Sequence, residues 1–213
     1  MPPDEREIPL RATESFGART RRGTWAESTQ VLRGSAKMER MTHEHSPLPT
    51  DVAGLPPDHP YLVELDSERH GWYELAELVR RLTPAECLVP GYYRDPDWTV
   101  RDVVAHLGTW LAEAEIQFQR IRAGTYEGHD IDVDALNVVF AAAMRDQPWE
   151  VVWTQANAAR SMMVQDWHEL RQPTDEAAWW IRKSGSEHYQ EHLGRLHEWV
   201  DELVGRRSRA DAP

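Results

Sequence analysis

Beyond residue 58 the large apolar side chains recur in steps of three and four, and the strict alternation of a half-buried strand is nearly absent. That spacing restricts the chain to helices packed through one face each. The last of them states the constraint most sharply. Leu196, Trp199 and Leu203 mark an apolar stripe, and the same stripe run backwards passes through His192 and His188. In the stretch Trp98 to Trp110, Val103, His106 and Trp110 share a face in the same way. His188 and His192 stand one turn apart, with Cβ atoms roughly 5–6 Å from each other. Two imidazoles so placed can converge on one ion, at about 2.0–2.1 Å for zinc. His106, from another helix, is the candidate third ligand. The competing reading is structural packing, although two histidines buried on one stripe leave several ring nitrogens to satisfy at once.

The net charge of -12 over 213 residues, with no basic stripe, argues against a nucleic-acid partner. No run approaches the ~18 consecutive apolar residues of a membrane span. One cysteine, Cys87, rules out an internal disulfide and suits a reducing, cytoplasmic setting. It falls at a predicted helix end with nothing nearby to lower its pKa, so it reads as a buried or half-exposed thiol and not a nucleophile. A small-molecule substrate and a second copy of the chain are the expected partners.

Residues 1–57 differ from the rest. They hold eight Lys or Arg and eight Asp or Glu, so the whole negative charge falls on the remainder. Large apolar residues are sparse there, and Pro47, Pro49, Pro56 and Pro57 interrupt any helix. The segment is expected to be a disordered extension without a core of its own. It lacks the apolar region of a secretory signal, and its acidic content does not suit a transit peptide. Met38 and Met41 offer later translation starts, and His43 and His45 read as solvated polar residues.

Residues 58–206 then read as one helical domain, with 207–213 as a disordered tail. Leu62, Leu65, Trp72, Leu75, Val79 and Leu82 define a first helix, capped by Asp58 with Pro60 in its first turn. Asp97 or Thr99 caps a second, striped by Val100, Val103, Val104, Leu107, Leu111, Ala114, Phe118 and Ile121 and ended by Gly124. A short helix carries Val133, Leu136, Phe140 and Met144. Pro148 opens a third long helix bearing Val152, Ala156, Ala159, Met163, Trp167 and Leu170, which Pro173 closes. The fourth runs from about Ser184 or Ser186 to Gly205. The fold class is all-α: four long helices and one short extra helix, an architecture that builds sites from inward-facing side chains.

Other candidates carry plain alternatives. His70, His168 and His197 read as satisfied core or interface residues. Of the nine tryptophans after residue 58, Trp110, Trp179 and Trp180 are those expected to touch a cavity. Asn137 and Arg160 could orient a substrate, but a helix–helix hydrogen bond or solvent exposure suits them better. Glu113 is an outer-sphere group or polar surface. His188-Tyr-Gln-Glu191-His192 also matches H-x-x-E-H, in which the glutamate acts as general base. That chemistry needs a further ligand from a segment downstream; only 21 residues follow His192, and the acids there, Glu198, Asp201 and Glu202, lie on the same helix and cannot fold back onto the site.

The pairing of WTVRDVVAHLGTW with EHYQEHLGRLHEWV resembles the DinB/YfiT-like superfamily. Within it, DVDALNVVFAAAMRDQPWEVVW is similar to the middle segment of DfsB-type bundles, and the mycothiol-dependent maleylpyruvate isomerases are also similar. The likeness runs from about Pro60 to Gly205. It implies an up-down-down-up four-helix bundle and a divalent metal, zinc or nickel, held by His106, His188 and His192. It further implies a transferase or isomerase that uses mycothiol, bacillithiol or another low-molecular-weight thiol on a small electrophilic substrate. The isomerase branch can carry glutamate as its middle ligand, whereas His188 follows the three-histidine pattern. The fuller isomerases have a separate C-terminal domain that does not follow here. The same ion could serve a hydrolase, and DfsB-type relatives include a metal-free self-protection protein, so both remain alternatives.

Overall fold

Helices begin where side chains can satisfy the first free amides, and in the structure, a computed structural model describing residues 55–93, 97–128, 130–170 and 173–211, four of the six described α-helices start on such a side-chain cap. Helix α1 spans Pro60–Arg80. Its cap is His59 and not Asp58: the His59 ring accepts from the Tyr61 amide at 3.3 Å, and Pro60 takes the first helical position, where no amide hydrogen is needed. Helix α2, Val100–Ala123, opens on a capping box in which Thr99 and Asp102 each bond the other's backbone amide. It closes on Gly124 at φ 70°, the left-handed conformation that glycine adopts at least cost. Helix α3, Val133–Met144, is capped by the Asp132 carboxylate, which accepts from the Ala135 amide at 2.9 Å. Helix α4, Trp149–Glu169, starts directly after Pro148.

The last helix departs from expectation. A short helix α5, Asp175–Ile181, starts on the Thr174 cap, with Asp175 and Glu176 in the first turn where the helix dipole favours negative charge. A π-type turn, Arg182–Ser186, then carries the backbone without a break into α6, Glu187–Ala210. Neither Ser184 nor Ser186 acts as a cap. The expected tail from residue 207 is also corrected, because α6 continues to Ala210. There Arg207 donates to Glu86 at 2.6 Å and to the Arg81 carbonyl at 3.2 Å, fastening the final turn. At the other end Leu55, three residues before the expected boundary at 58, already packs on the core. Residues 1–54, with His43, His45, Met38 and Met41, lie outside the described residues.

All described residues belong to one compact unit that is helical throughout, with no strand among them. Helix α2 lies closest to α4. At Gly108 an added Cβ would meet the Ala156 Cβ at 2.9 Å and its Cα at 3.0 Å, so glycine sets that approach. Helix α1 packs on α6 and the π turn, and a Cβ on Gly71 would fall 2.6 Å from the Tyr189 ring. Leu75, Leu107, Leu111, Phe118, Met163, Trp167, Trp180 and Leu196 form the fully buried centre. One charged group is buried among them. Glu68 has no exposed surface, and Arg160 grips both its oxygens at 2.7 Å while the Tyr189 hydroxyl donates to one at 3.0 Å. Helix α3 contributes no buried residue and packs chiefly on α2, with Val138 and Val139 turned outward. No described helix is long and apolar enough to cross a membrane.

Candidate metal centre

The stripe of α2 is buried at Val103, Val104, Leu107 and Leu111, and that packing fixes the rotation that points His106 toward α6. Helix α6 is fixed likewise by Tyr189, Leu193 and Leu196, leaving His188 and His192 each only 8% exposed. The π turn directly precedes them, and such turns recur beside functional residues. The three predicted ligands do come together. The Nε2 atoms of His106 and His188 stand 2.9 Å apart, and one ring nitrogen from each histidine lies within 4.8 Å of the other two. Three nitrogens around a tetrahedral zinc would be separated by about 3.3 Å, given bonds of about 2.0–2.1 Å. The cluster needs only small side-chain adjustments to meet that spacing.

Its electrostatics suit a cation. Burial pushes the His106 imidazole down to about 4, helped by the charge of His192. Burial likewise pushes His188 to about 3, helped by His106 and His192, and His192 to about 4. All three rings are therefore neutral at pH 7, with lone pairs available to an ion. The Tyr93 hydroxyl lies 3.0 Å from Nδ1 of His192. With that nitrogen donating to the tyrosine oxygen, the Nε2 lone pair would be left for an ion. The Trp98 ring packs against His106 at 5.4 Å. Nδ1 of His188 is buried with no hydrogen-bond partner.

A cavity of about 390 Å³ opens beside His106, between α2 and α3, with Trp98, Arg101, Asn137, Phe140, Met144 and Arg145 among its walls. Asn137 accepts from the Trp110 indole at 2.9 Å, so that pair links α3 to α2. Trp180 is fully buried and donates to the Tyr126 hydroxyl at 3.0 Å, and neither it nor Trp179 nor Trp110 lines this cavity. Arg160 is consumed by Glu68. Glu113 accepts from Gln117 at 2.6 Å and takes no part in the cluster. Glu191 is exposed on α6, so the H-x-x-E-H spacing does not aim a base at the histidines. His197 and His70 are surface residues beside Glu74 and Asp66, not core ones, and His168 bonds Tyr61. Cys87 is buried, and burial, reinforced by Glu86, pushes its thiol up to about 12.

Tyr93, Arg101, Phe140 and Arg145 carry no signal of their own in the sequence. Tyr93 reaches the site from a loop, where periodicity says nothing, and Phe140 reads simply as apolar helix. If the cluster binds zinc, Tyr93→Phe should weaken that binding by about tenfold or more, because a hydrogen-bond partner of the His192 ring is lost. Competition against a chromogenic chelator measures this. An unchanged affinity would show that the hydroxyl does not orient the ring.

No family model matches the chain, and no curated protein does. Among solved structures it is similar to an uncharacterised protein from Escherichia coli UTI89, at a TM-score of 0.58. The alignment covers 67% of this chain and 93% of that one, at 16% identity. At that identity the likeness bears on the helical fold alone.

Proposed function

We propose that this chain binds one divalent cation, zinc or nickel, through His106, His188 and His192, and catalyses a thiol-dependent transfer or isomerisation on a small electrophilic substrate. The helices α1, α2, α4 and α6 would then form the up-down-down-up bundle that the resemblance to DinB/YfiT-like proteins implies. The convergence of three neutral imidazoles beside an open cavity carries this reading. A bound ion would supply a Lewis acid able to lower the pKa of an incoming thiol or water toward neutrality.

The chain's own residues supply the remainder. The Tyr93 hydroxyl, 3.0 Å from Nδ1 of His192, anchors that ring, and the Trp98 ring packs against His106. Phe140 and Met144 give the cavity apolar walls. No protein thiol can act as nucleophile, because the chain's one cysteine is buried and its pKa lies far above neutrality. A sulfur nucleophile must therefore come from outside.

Turnover should require both the metal and a low-molecular-weight thiol, and should survive Cys87→Ala. A panel of mycothiol, bacillithiol and glutathione with electrophilic acceptors, run with and without chelator, measures this. Metal-dependent turnover without thiol would identify a hydrolase instead. Tight substrate binding without conversion, unaffected by chelation, would identify a binding bundle and end the enzyme reading.

A further inference from the structure

We infer that the Ser184 hydroxyl is the outer partner of His188, holding that ring by Nδ1 so that Nε2 faces His106 and His192. Among the described residues, five buried side-chain polar atoms have no hydrogen-bond partner, and two of them are Ser184 Oγ and His188 Nδ1. Those two residues stand four apart across the join of the π turn and α6, close to one turn in either helix type. Side chains at that spacing face each other. The other three atoms suit His188 less well. The indoles of Trp167 and Trp199 can only donate, and Asp166 belongs to α4, where it already accepts from Arg122 at 3.0 Å.

Ser184 is unusual among the helical hydroxyls. Thr109, Thr154, Ser161 and Ser208 each donate to the carbonyl four residues back, at 3.1, 2.7, 2.8 and 3.0 Å. Ser184 is only 1% exposed and makes no such bond. Burying a hydroxyl without a partner is costly, so the position calls for one. The turn that carries it is held firmly against α1. Arg182 donates to Glu64 at 2.6 Å, and a Cβ on Gly185 would lie 3.2 Å from the Glu68 Cγ.

The histidine supplies the matching need. Nε2 of His188 lies 2.9 Å from Nε2 of His106, so one of these nitrogens carries a proton in the metal-free protein. Three lone pairs can face one ion only when the His188 proton sits on Nδ1, and a buried Nδ1–H needs an acceptor. A hydroxyl accepts while still donating its own proton. Rotation of the Ser184 hydroxyl and a shift in the broad χ2 torsion of His188 close the contact. Ser184 then does for His188 what Tyr93 does for His192, so both ligands of α6 gain an outer oxygen. This makes Ser184 a positioning residue. Its effect on affinity depends on the metal reading proposed above; the contact itself does not.

Zinc competition against a chromogenic chelator, melting of the chelated protein, and the His188 ring resonances of 15N-labelled full chain test this together. Ser184→Ala should bind zinc about tenfold more weakly, or worse. Without metal it should melt within about 2–4 °C of chelated wild type, because no bond of the folded metal-free protein is lost. The Nδ1 resonances, assigned by their loss in His188→Leu, should move in Ser184→Ala, and in the zinc-loaded form the Nδ1 proton should move upfield. Wild-type zinc affinity in Ser184→Ala, a larger fall in melting temperature without metal, or unmoved Nδ1 resonances would each overturn it. A wild type that binds no zinc would end the metal reading instead. The metal-free Nδ1 resonances would then decide the contact alone, a shift in Ser184→Ala supporting it and identical resonances refuting it.

Discussion

Arg160→Met should lower the stability of the protein by about 3–5 kcal/mol, because it strands a carboxylate that has no route to water. Glu68 is wholly buried, and its oxygens accept two bonds from Arg160 at 2.7 Å and one from Tyr189 at 3.0 Å. The guanidinium also lies 5.4 Å from the centre of the Trp72 ring and 5.8 Å from that of Tyr73, contacts the variant loses too. The pair is costly to break without being especially favourable to have, since both ions gave up hydration to form it. The double variant Glu68→Met with Arg160→Met should therefore recover much of the single variant's loss. Urea denaturation of the two variants beside wild type measures this. A single variant within about 1 kcal/mol of wild type would mean that water reaches Glu68 after all.

If the proposed ion is bound, removing it should have the second large effect. An ion that binds only the folded state stabilises by about 2.7 kcal/mol at a free concentration a hundredfold above its Kd, so a chelator should lower the melting temperature. The chelated protein should then show a marked pH dependence. The folded pKa values of the three histidines lie at about 3 to 4, below their ordinary 6.5. Between those limits the unfolded chain binds more protons, so stability rises with pH. It is fully present above about 6.5 and is lost as the pH falls toward 4, at roughly 1.4 kcal/mol per pH unit for each ring. His188→Leu suits the stripe and removes the unpartnered Nδ1. It should melt no lower than chelated wild type while ignoring the chelator. A chelator response in that variant equal to wild type would remove His188 from the ligand set.

What could be read in the sequence follows from what periodicity encodes. The stripes of α2 and α4 are the buried faces, because each turn of a packed helix must put an apolar group in the same place. The three histidines were legible for the complementary reason: they interrupt such stripes with a group that packing alone would not select. Glu68 sits in line with Leu65, Trp72, Leu75 and Val79, yet its partner Arg160 lies 92 residues away, and no local pattern reveals that pairing. Helix α5 was missed because Pro173 suggested a break, although Thr174-Asp175-Glu176 is a legible helix start. Tyr93 depends on where a loop comes to rest in three dimensions. Its contact with His192 appears only once that loop and α6 are in place.

The claim that the three histidines form one metal centre is tested most directly by metal content. Protein purified without a polyhistidine tag, loaded with zinc or nickel and freed of excess, should carry about one ion per chain by elemental analysis. His106→Ala should fall to a small fraction of that while keeping its helical circular dichroism. A wild-type protein that cannot be loaded, or a His106→Ala protein that keeps the full complement, would contradict it.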